Sequence, residues 1–350
     1  MSLALSRPRM VLPRADYPQR ESDGILVLQR GENASTDYYL RPRLESAGLP
    51  AEIADLTHDP AGSGLLAPRG PKALTVVFCR YASPVWLEAL EAARERLARV
   101  VFFMDDDLPE MMRAGEIPSA ARGKVALHFA AHAARLSALC SETWVSTPEL
   151  AGRYPEARPL VLQPLPEAEP PAPAPADADL VVYHGTDVHA RERRFVLEVA
   201  RRLEPLAPGA RIEIAGDKAM ERTAAGAANV SVVPQQPWPD YLAIQAGRTA
   251  AISLAPLFPS RLNDARAPVK AFDAARLGAA ALYADAPAYR GHVSPGEDGL
   301  LLPMEPGAWA AAIAGLLSDP ARRMGLAGAA RERLVAMLHS DAGFPRALAG

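Results

Sequence analysis

One pattern governs what this chain can become. Short apolar runs, each stopped by glycine or a polar cluster and followed by a helical segment, come in two series. The first holds GILVLQ (24–29), ALTVVFCR (73–80), RVVFFM (99–104), ETWVST (142–147) and PLVLQPL (159–165). The second holds LVVYHG (180–185), RIEIAG (211–216), VSVVPQ (230–235), AAISLAP (250–256), AALYAD (280–285) and GLLLP (299–303). Helices read over STDYYLRPRLESAG, over 84–98 with proline at its start, over 121–139, and at PELAGRY. Strands alternating with helices predict doubly wound parallel sheets.

Between the series lies PEAEPPAPAPADAD (166–179). It has no aromatic residue and no aliphatic one larger than alanine, so it reads as an extended linker. The expected organisation is a mobile or surface arm over 1–22 and a Rossmann-like domain over 23–165. After the linker at 166–179 come a second Rossmann-like domain over 180–325 and a helical tail over 326–350, with a break near Asp319-Pro320. Two such halves place a cleft between them.

The chain has 350 residues, 49% of them hydrophobic, which suits two cores. A net charge of −3 gives no reason to expect nucleic acid. Cys79 and Cys140 are the two cysteines, far apart and without metal-ligand spacing. A reduced, cytoplasmic setting fits them. MSLALSRPRM lacks the pattern of a secretion signal, and no run approaches the length of a membrane span.

The turn VVYHGTDVHARE (181–192) crowds polar groups where a buried strand gives way to a helix. Gly185 suggests a backbone conformation that Cβ forbids, and Thr186 or Asp187 a helix cap. Ligands bind at such strand ends in open α/β sheets.

PLFPSRLNDARAPVKAFDAARLGAAALYADAPAYRGHVSPGEDGLLLP (256–303) resembles the nucleotide-binding half of GT-B glycosyltransferases, family 4 and related bacterial surface-polysaccharide enzymes in particular. The match rests on Pro256, on Asp273 in DAARLG, on Asp285 and on Asp298-Gly299. HGTDVHARE is similar to a G-T-x-x-H-x-x-D turn of some of these enzymes, and FFMDDDLPE (102–110) to an aspartate-rich strand end of their first domain.

The resemblance implies a GT-B fold with two Rossmann-like domains facing a cleft, an acceptor-side domain first and a nucleotide-sugar domain second. It implies transfer of a sugar from a nucleotide-sugar donor to a hydroxyl on a glycan or lipid-linked acceptor. Retention of configuration, bacterial cell-surface glycan synthesis and peripheral contact with the inner membrane come with it. One departure stands out: the first acid of the family's E-x7-E motif falls at Ala265, and the second position is Asp273.

Arg266, Lys270 and the start of the following helix are candidates to neutralise the departing phosphates. Asp273, one helical turn beyond Lys270, is a candidate for the ribose hydroxyls; a solvated Lys–Asp pair is the plain alternative. Gly185, Thr186, Asp187, Gly216 and Lys218 complete the candidate donor contacts. His189 is expected to touch sugar or phosphate, against a local cap. Asp105, Asp106 and Asp107 offer a base, a nucleophile or a metal site, against simple capping of a helix. In the catalytic reading they meet His189 across the cleft. Gly31 marks an acceptor or phosphate loop, or a plain turn. His128 and His132 lack a third ligand, and Trp238 and Tyr241 read as base-stacking or core residues.

No essential metal is expected, since cationic side chains can take its place. Two rivals stand beside this reading. One is a transferase of CMP-linked keto sugars such as Kdo. The other is a lapsed GT-B chain acting as a binding subunit, motivated by Ala265.

Overall fold

The computed structural model describes residues 10–18, 20–166, 168–175 and 177–340. They form two compact units. The first holds the described residues before Ala168 together with Ala265–Ala267; the second holds Ala168–Asp264 and Pro268–Ser340.

In the first unit, β1 (Gly24–Gln29), β2 (Ala51–Asp55), β3 (Leu74–Cys79), β4 (Leu97–Met104), β5 (Glu142–Val145) and β6 (Leu160–Val161) form one parallel sheet. Its order is β2-β1-β3-β4-β5-β6. Every residue of β1 and β3 is buried, as expected of strands covered on both faces. β2 was not read from the sequence. It is an edge strand with partly exposed residues, including Glu52 and Asp55, and an edge tolerates polar side chains.

The second unit repeats the plan with β7 (Leu180–Tyr183), β8 (Arg211–Gly216), β9 (Val230–Pro234), β10 (Ile252–Ala255), β11 (Ala280–Ala284) and β12 (Leu300–Leu302). The order β12-β11-β10-β7-β8-β9 is again parallel. Helix Ala190–Leu203 covers it, with Phe195 edge-on to Trp309 at 5.4 Å. In each sheet the winding direction reverses once, between β1 and β3 and between β7 and β10. Ligand crevices open at such points.

Three expectations change. Residues 1–9 and 19 lie outside the described residues, but from Met10 the arm is docked rather than mobile. Val11 is fully buried, the Leu12 N–H donates to Ser137 Oγ at 3.0 Å, and the Tyr17 hydroxyl donates to Leu139 O at 2.6 Å. The helix read over 121–139 is broken by a short turn at Ala130–His132.

The proline-rich segment carries no regular structure but does not hang free. The Ala174 N–H donates to Gly278 O at 2.7 Å, and Arg323 and Arg331 donate to the carbonyls of Pro175 and Pro170. Proline lacks an N–H, but its carbonyl still accepts, and long arginines reach it. No helix among the described residues is long and apolar enough to cross a membrane. Of the 326–350 tail, residues 326–339 belong to helix Pro320–His339, which Ser340 ends; residues 341–350 lie outside the described residues.

Candidate functional site

Two polar clusters form, one at each reversal point. In the second unit β7 ends at Tyr183, and His184 follows. Its Nε2 lies 2.8 Å from Glu213 Oε1 on β8, and its Nδ1 lies 3.3 Å from the Tyr241 hydroxyl. Arg248 binds the same carboxylate at 2.9 and 3.1 Å. The His184 hydrogen bond foremost, then Arg248, pull the Glu213 carboxyl down to about 2 against the opposing effect of burial. His184, Glu213 and Arg248 were missed by the sequence reading. The available signal was a charged residue in the middle of RIEIAG, because a glutamate on a buried strand needs partners.

Lys270 joins this cluster. Its ammonium donates to the His184 carbonyl at 2.6 Å and to Asp273 Oδ2 at 2.9 Å. The loops after β7 and β10 are thereby tied together. Arg276 holds the other oxygen of Asp273 at 3.2 Å. Two cations thus share one carboxylate, and two of the three N–H groups of Lys270 are engaged. The helix here, Lys270–Arg276, has only seven residues and no side-chain cap. Its dipole is small, so the lysine rather than the helix end supplies the positive charge. Trp238 stacks on Tyr241 at 5.6 Å and lies under Arg276 at 5.7 Å.

His189 stands in the same turn, 3.8 Å from Glu192. Burial would raise the Glu192 carboxyl, but His189 and the backbone hold it below its usual value. Glu192 also accepts from the Phe258 N–H at 3.3 Å, again joining the loops after β7 and β10.

Gly185 departs from expectation. Its φ is not in the left-handed region; a Cβ there would stand 2.6 Å from the Tyr183 hydroxyl, so the close ring requires glycine. A Cβ on Gly216 would meet Met220 at 2.7 Å, a packing constraint of the local turn. Thr186 and Lys218 are exposed. Thr186 makes no side-chain cap hydrogen bond. The Asp187 side chain lies outside the described residues.

Arg266 is not in the Lys270 cluster. It falls in the Ala265–Ala267 segment that groups with the first unit, 3.7 Å from Asp106. Ala265, at the position of the absent acid, is buried.

In the first unit the acidic strand end separates into different roles. Asp107 is buried. It caps helix Leu108–Met111 through the Glu110 N–H at 3.0 Å, pairs with Arg153 at 3.1 Å and accepts from the Tyr154 hydroxyl. That is the capping alternative, strengthened by an ion pair, so both oxygens of Asp107 are occupied. Asp105 instead points to the crevice side of β1. It accepts from Ser35 Oγ at 2.6 Å and faces Arg80 at 3.3 Å. Asp106 lies 3.8 Å from the same guanidinium.

Arg80, at the end of β3, has φ +70. Two carboxylates share this cation. Burial, aided by Asp106, raises the Asp105 carboxyl above its usual value despite Arg80 and Ser35. Gly31 has φ +64, and its N–H donates to Asp55 at 2.5 Å, which makes it a true left-handed turn. Among the described residues no group of three or more His, Cys, Asp or Glu side chains could hold a metal ion.

No model of a known family matches the sequence, and no curated protein does. Solved structures are similar in fold. Sucrose-phosphate synthase from Thermosynechococcus elongatus has a TM-score of 0.56 at 14% identity, covering 91% of this chain and 96% of its own. Anabaena HepE in complex with UDP and glucose gives 0.53 at 13%, over 90% and 95%. S. aureus TarM, in complex with UDP and other ligands, gives 0.55 at 10%, over 77% of this chain. This chain covers only about half of TarM, 53% of it. At these identities the likeness is one of fold: two Rossmann-like parallel sheets, the GT-B fold.

Proposed function

We propose that the chain is a glycosyltransferase that moves a sugar from a nucleotide-sugar donor to a hydroxyl acceptor. The observation that carries this reading is the Lys270 cluster, where an ammonium at the β7/β10 reversal keeps one N–H available for an anion. Breaking the bond between the anomeric carbon and the phosphate oxygen leaves charge on the nucleoside diphosphate. A preorganised cation there lowers the barrier. HepE and TarM, which share the fold, were crystallised with UDP, which supports UDP as the first donor nucleotide to test.

In the proposed reaction the acceptor oxygen bonds to the anomeric carbon and its proton passes to a carboxylate. Asp105 is the chosen base because its pKa is raised and its Ser35 contact orients it. Asp106 is the alternative. Asp273 anchors Lys270 and Arg276, and His189 contacts the sugar or phosphates. Retention of configuration, through attack of the acceptor on the face from which the phosphate departs, a place in bacterial lipopolysaccharide, O-antigen or capsule synthesis, and independence from a divalent metal belong to the same proposal. A lapsed, binding-only chain is the second reading, favoured by the buried Ala265.

The test is a thermal-shift screen of UDP-, GDP-, dTDP- and CMP-sugars, followed by assay of nucleotide release. One donor class should raise the melting temperature, since ligands stabilise the state they bind. Binding without release in the presence of any hydroxyl acceptor favours the lapsed reading, and no binding at all removes both.

A further inference from the structure

The first unit holds basic side chains that the proposed reaction does not use. β1 and β3 pair with Leu28 opposite Phe78. Arg30 and Arg80, each two residues further on, therefore follow neighbouring strand ends at the carboxyl edge of the sheet. The ring of buried Tyr81 gathers more charge. Arg80 lies 5.5 Å from its centroid, the Lys124 ammonium 5.4 Å, and the His128 ring packs edge-on at 6.0 Å. The Ala82 N–H donates to His128 O at 2.9 Å and fixes the helix end against the loop.

Arg80 is committed to Asp105 and Asp106. Among the described residues no carboxylate pairs with Arg30 or Lys124. Burial and then the positive charges of Arg80 and Arg30 lower the Lys124 pKa; burial, Arg30 and Lys124 do the same for His128. Like charges crowded without a counter-charge are a disfavoured arrangement until an anion enters.

We propose that the Arg30–Lys124–His128 cluster binds a phosphate group carried by the acceptor. This rests on the glycosyltransferase reading and names the acceptor's class. Arg30 offers a planar fork and Lys124 a mobile point charge, a combination suited to phosphate. Gly31, with its left-handed φ, turns the chain right after Arg30. Two exposed apolar side chains, Leu127 at 62% and Val85 at 54%, lie within three residues of the Ala82–His128 hydrogen bond. An aliphatic group beside the phosphate would meet them.

The experiment titrates inorganic pyrophosphate into protein already saturated with UDP, in the wild type and in the double variant Arg30→Gln/Lys124→Gln. The wild type should bind, and the double variant should bind about tenfold more weakly or worse, as expected for lost charge-assisted contacts. UDP affinity should be unchanged. Arg202→Gln, which removes an exposed charge on helix Ala190–Leu203, should bind pyrophosphate as the wild type does. No binding, equal binding by the double variant, or equal weakening by Arg202→Gln overturns the proposal. Failure of the wild type to bind UDP counts against the donor site alone, and the pyrophosphate comparison still decides this one.

Repeating the pair with glucose 1-phosphate, and with phosphatidylcholine vesicles containing phosphatidic acid, separates a soluble phosphate from a lipid headgroup. Sensitivity to the double variant in either arm supports the site and names its source; insensitivity in both overturns it.

Discussion

The two sheets reverse in the same way but pair their carboxylates differently at the reversal. After β3 and β4, Asp105 and Asp106 share Arg80, and Arg266 also lies against Asp106. After β7 and β10, two cations, Lys270 and Arg276, share Asp273, while His184 and Arg248 share Glu213. The consequence appears in the carboxyl groups. Asp105 is raised, by burial first and Asp106 next, whereas Glu213 is pulled to about 2, by His184 first. One architecture thus yields a group ready to hold a proton and another arranged to meet an anion. Topology chooses where polar residues gather, and burial and the nearest partner choose what they do.

The largest expected effect breaks the basic side. Lys270→Ala should lower kcat/KM by roughly 10²–10³, the usual loss for a group that stabilises developing negative charge. Steady-state kinetics on folded protein checks it; unchanged turnover removes Lys270 from the mechanism.

On the acidic side, Asp105→Asn should lower kcat by about 10² or more. Its thermal midpoint should not fall. A carboxyl with a raised pKa binds more protons folded than unfolded, so its ionised form costs stability as pH rises above the usual carboxylate range. Asparagine relieves that cost. Calorimetry beside kinetics will show the split, and a destabilised but active variant would reverse the assignment.

Glu213→Gln sharpens the contrast through pH. A carboxyl whose folded pKa lies at about 2 contributes its full stabilisation above the usual glutamate range. That contribution disappears as pH falls through the folded pKa. Denaturant unfolding should therefore find the variant roughly 3 kcal/mol less stable at pH 7, with the gap closing by about pH 2. A gap that persists in acid would mean the glutamate acts by packing instead of charge.

Asp107→Asn should leave turnover intact. Asparagine keeps the cap but loses the Arg153 pair, at about 1–3 kcal/mol of stability. The smallest expected effect is none: EDTA should leave transfer unaltered. Loss on chelation, restored by Mn²⁺ or Mg²⁺, would reopen the aspartates as a metal site.

Much of the fold was legible because parallel strands covered on both faces read as unbroken apolar runs. The central strands β7, β10 and β11 stood out this way, whereas β8 and β9 carry polar residues and β9 and β12 are only partly buried. β2 did not, because AEIAD at a sheet edge mixes acids with small residues. The site was legible by location more than by partner. The strand ends at residues 105 and 184 mark the crevices, but nothing local reveals that Asp107 turns inward to Arg153 while Asp105 turns to Ser35. Those pairings span 46 and 70 residues. The histidine bound into the Lys270 cluster is His184, where the sequence pointed to His189. Glu213, which selects it, lies on a strand 29 residues away.

The proposed reaction divides labour between two groups, Lys270 of the second unit binding the donor and Asp105 of the first taking the proton. Donor affinity measured by titration calorimetry in Lys270→Ala and Asp105→Asn, side by side with the wild type, tests it most directly. Nucleotide-sugar binding should weaken in Lys270→Ala and stay at the wild-type level in Asp105→Asn. Equal weakening in both, or wild-type affinity in Lys270→Ala, would contradict it.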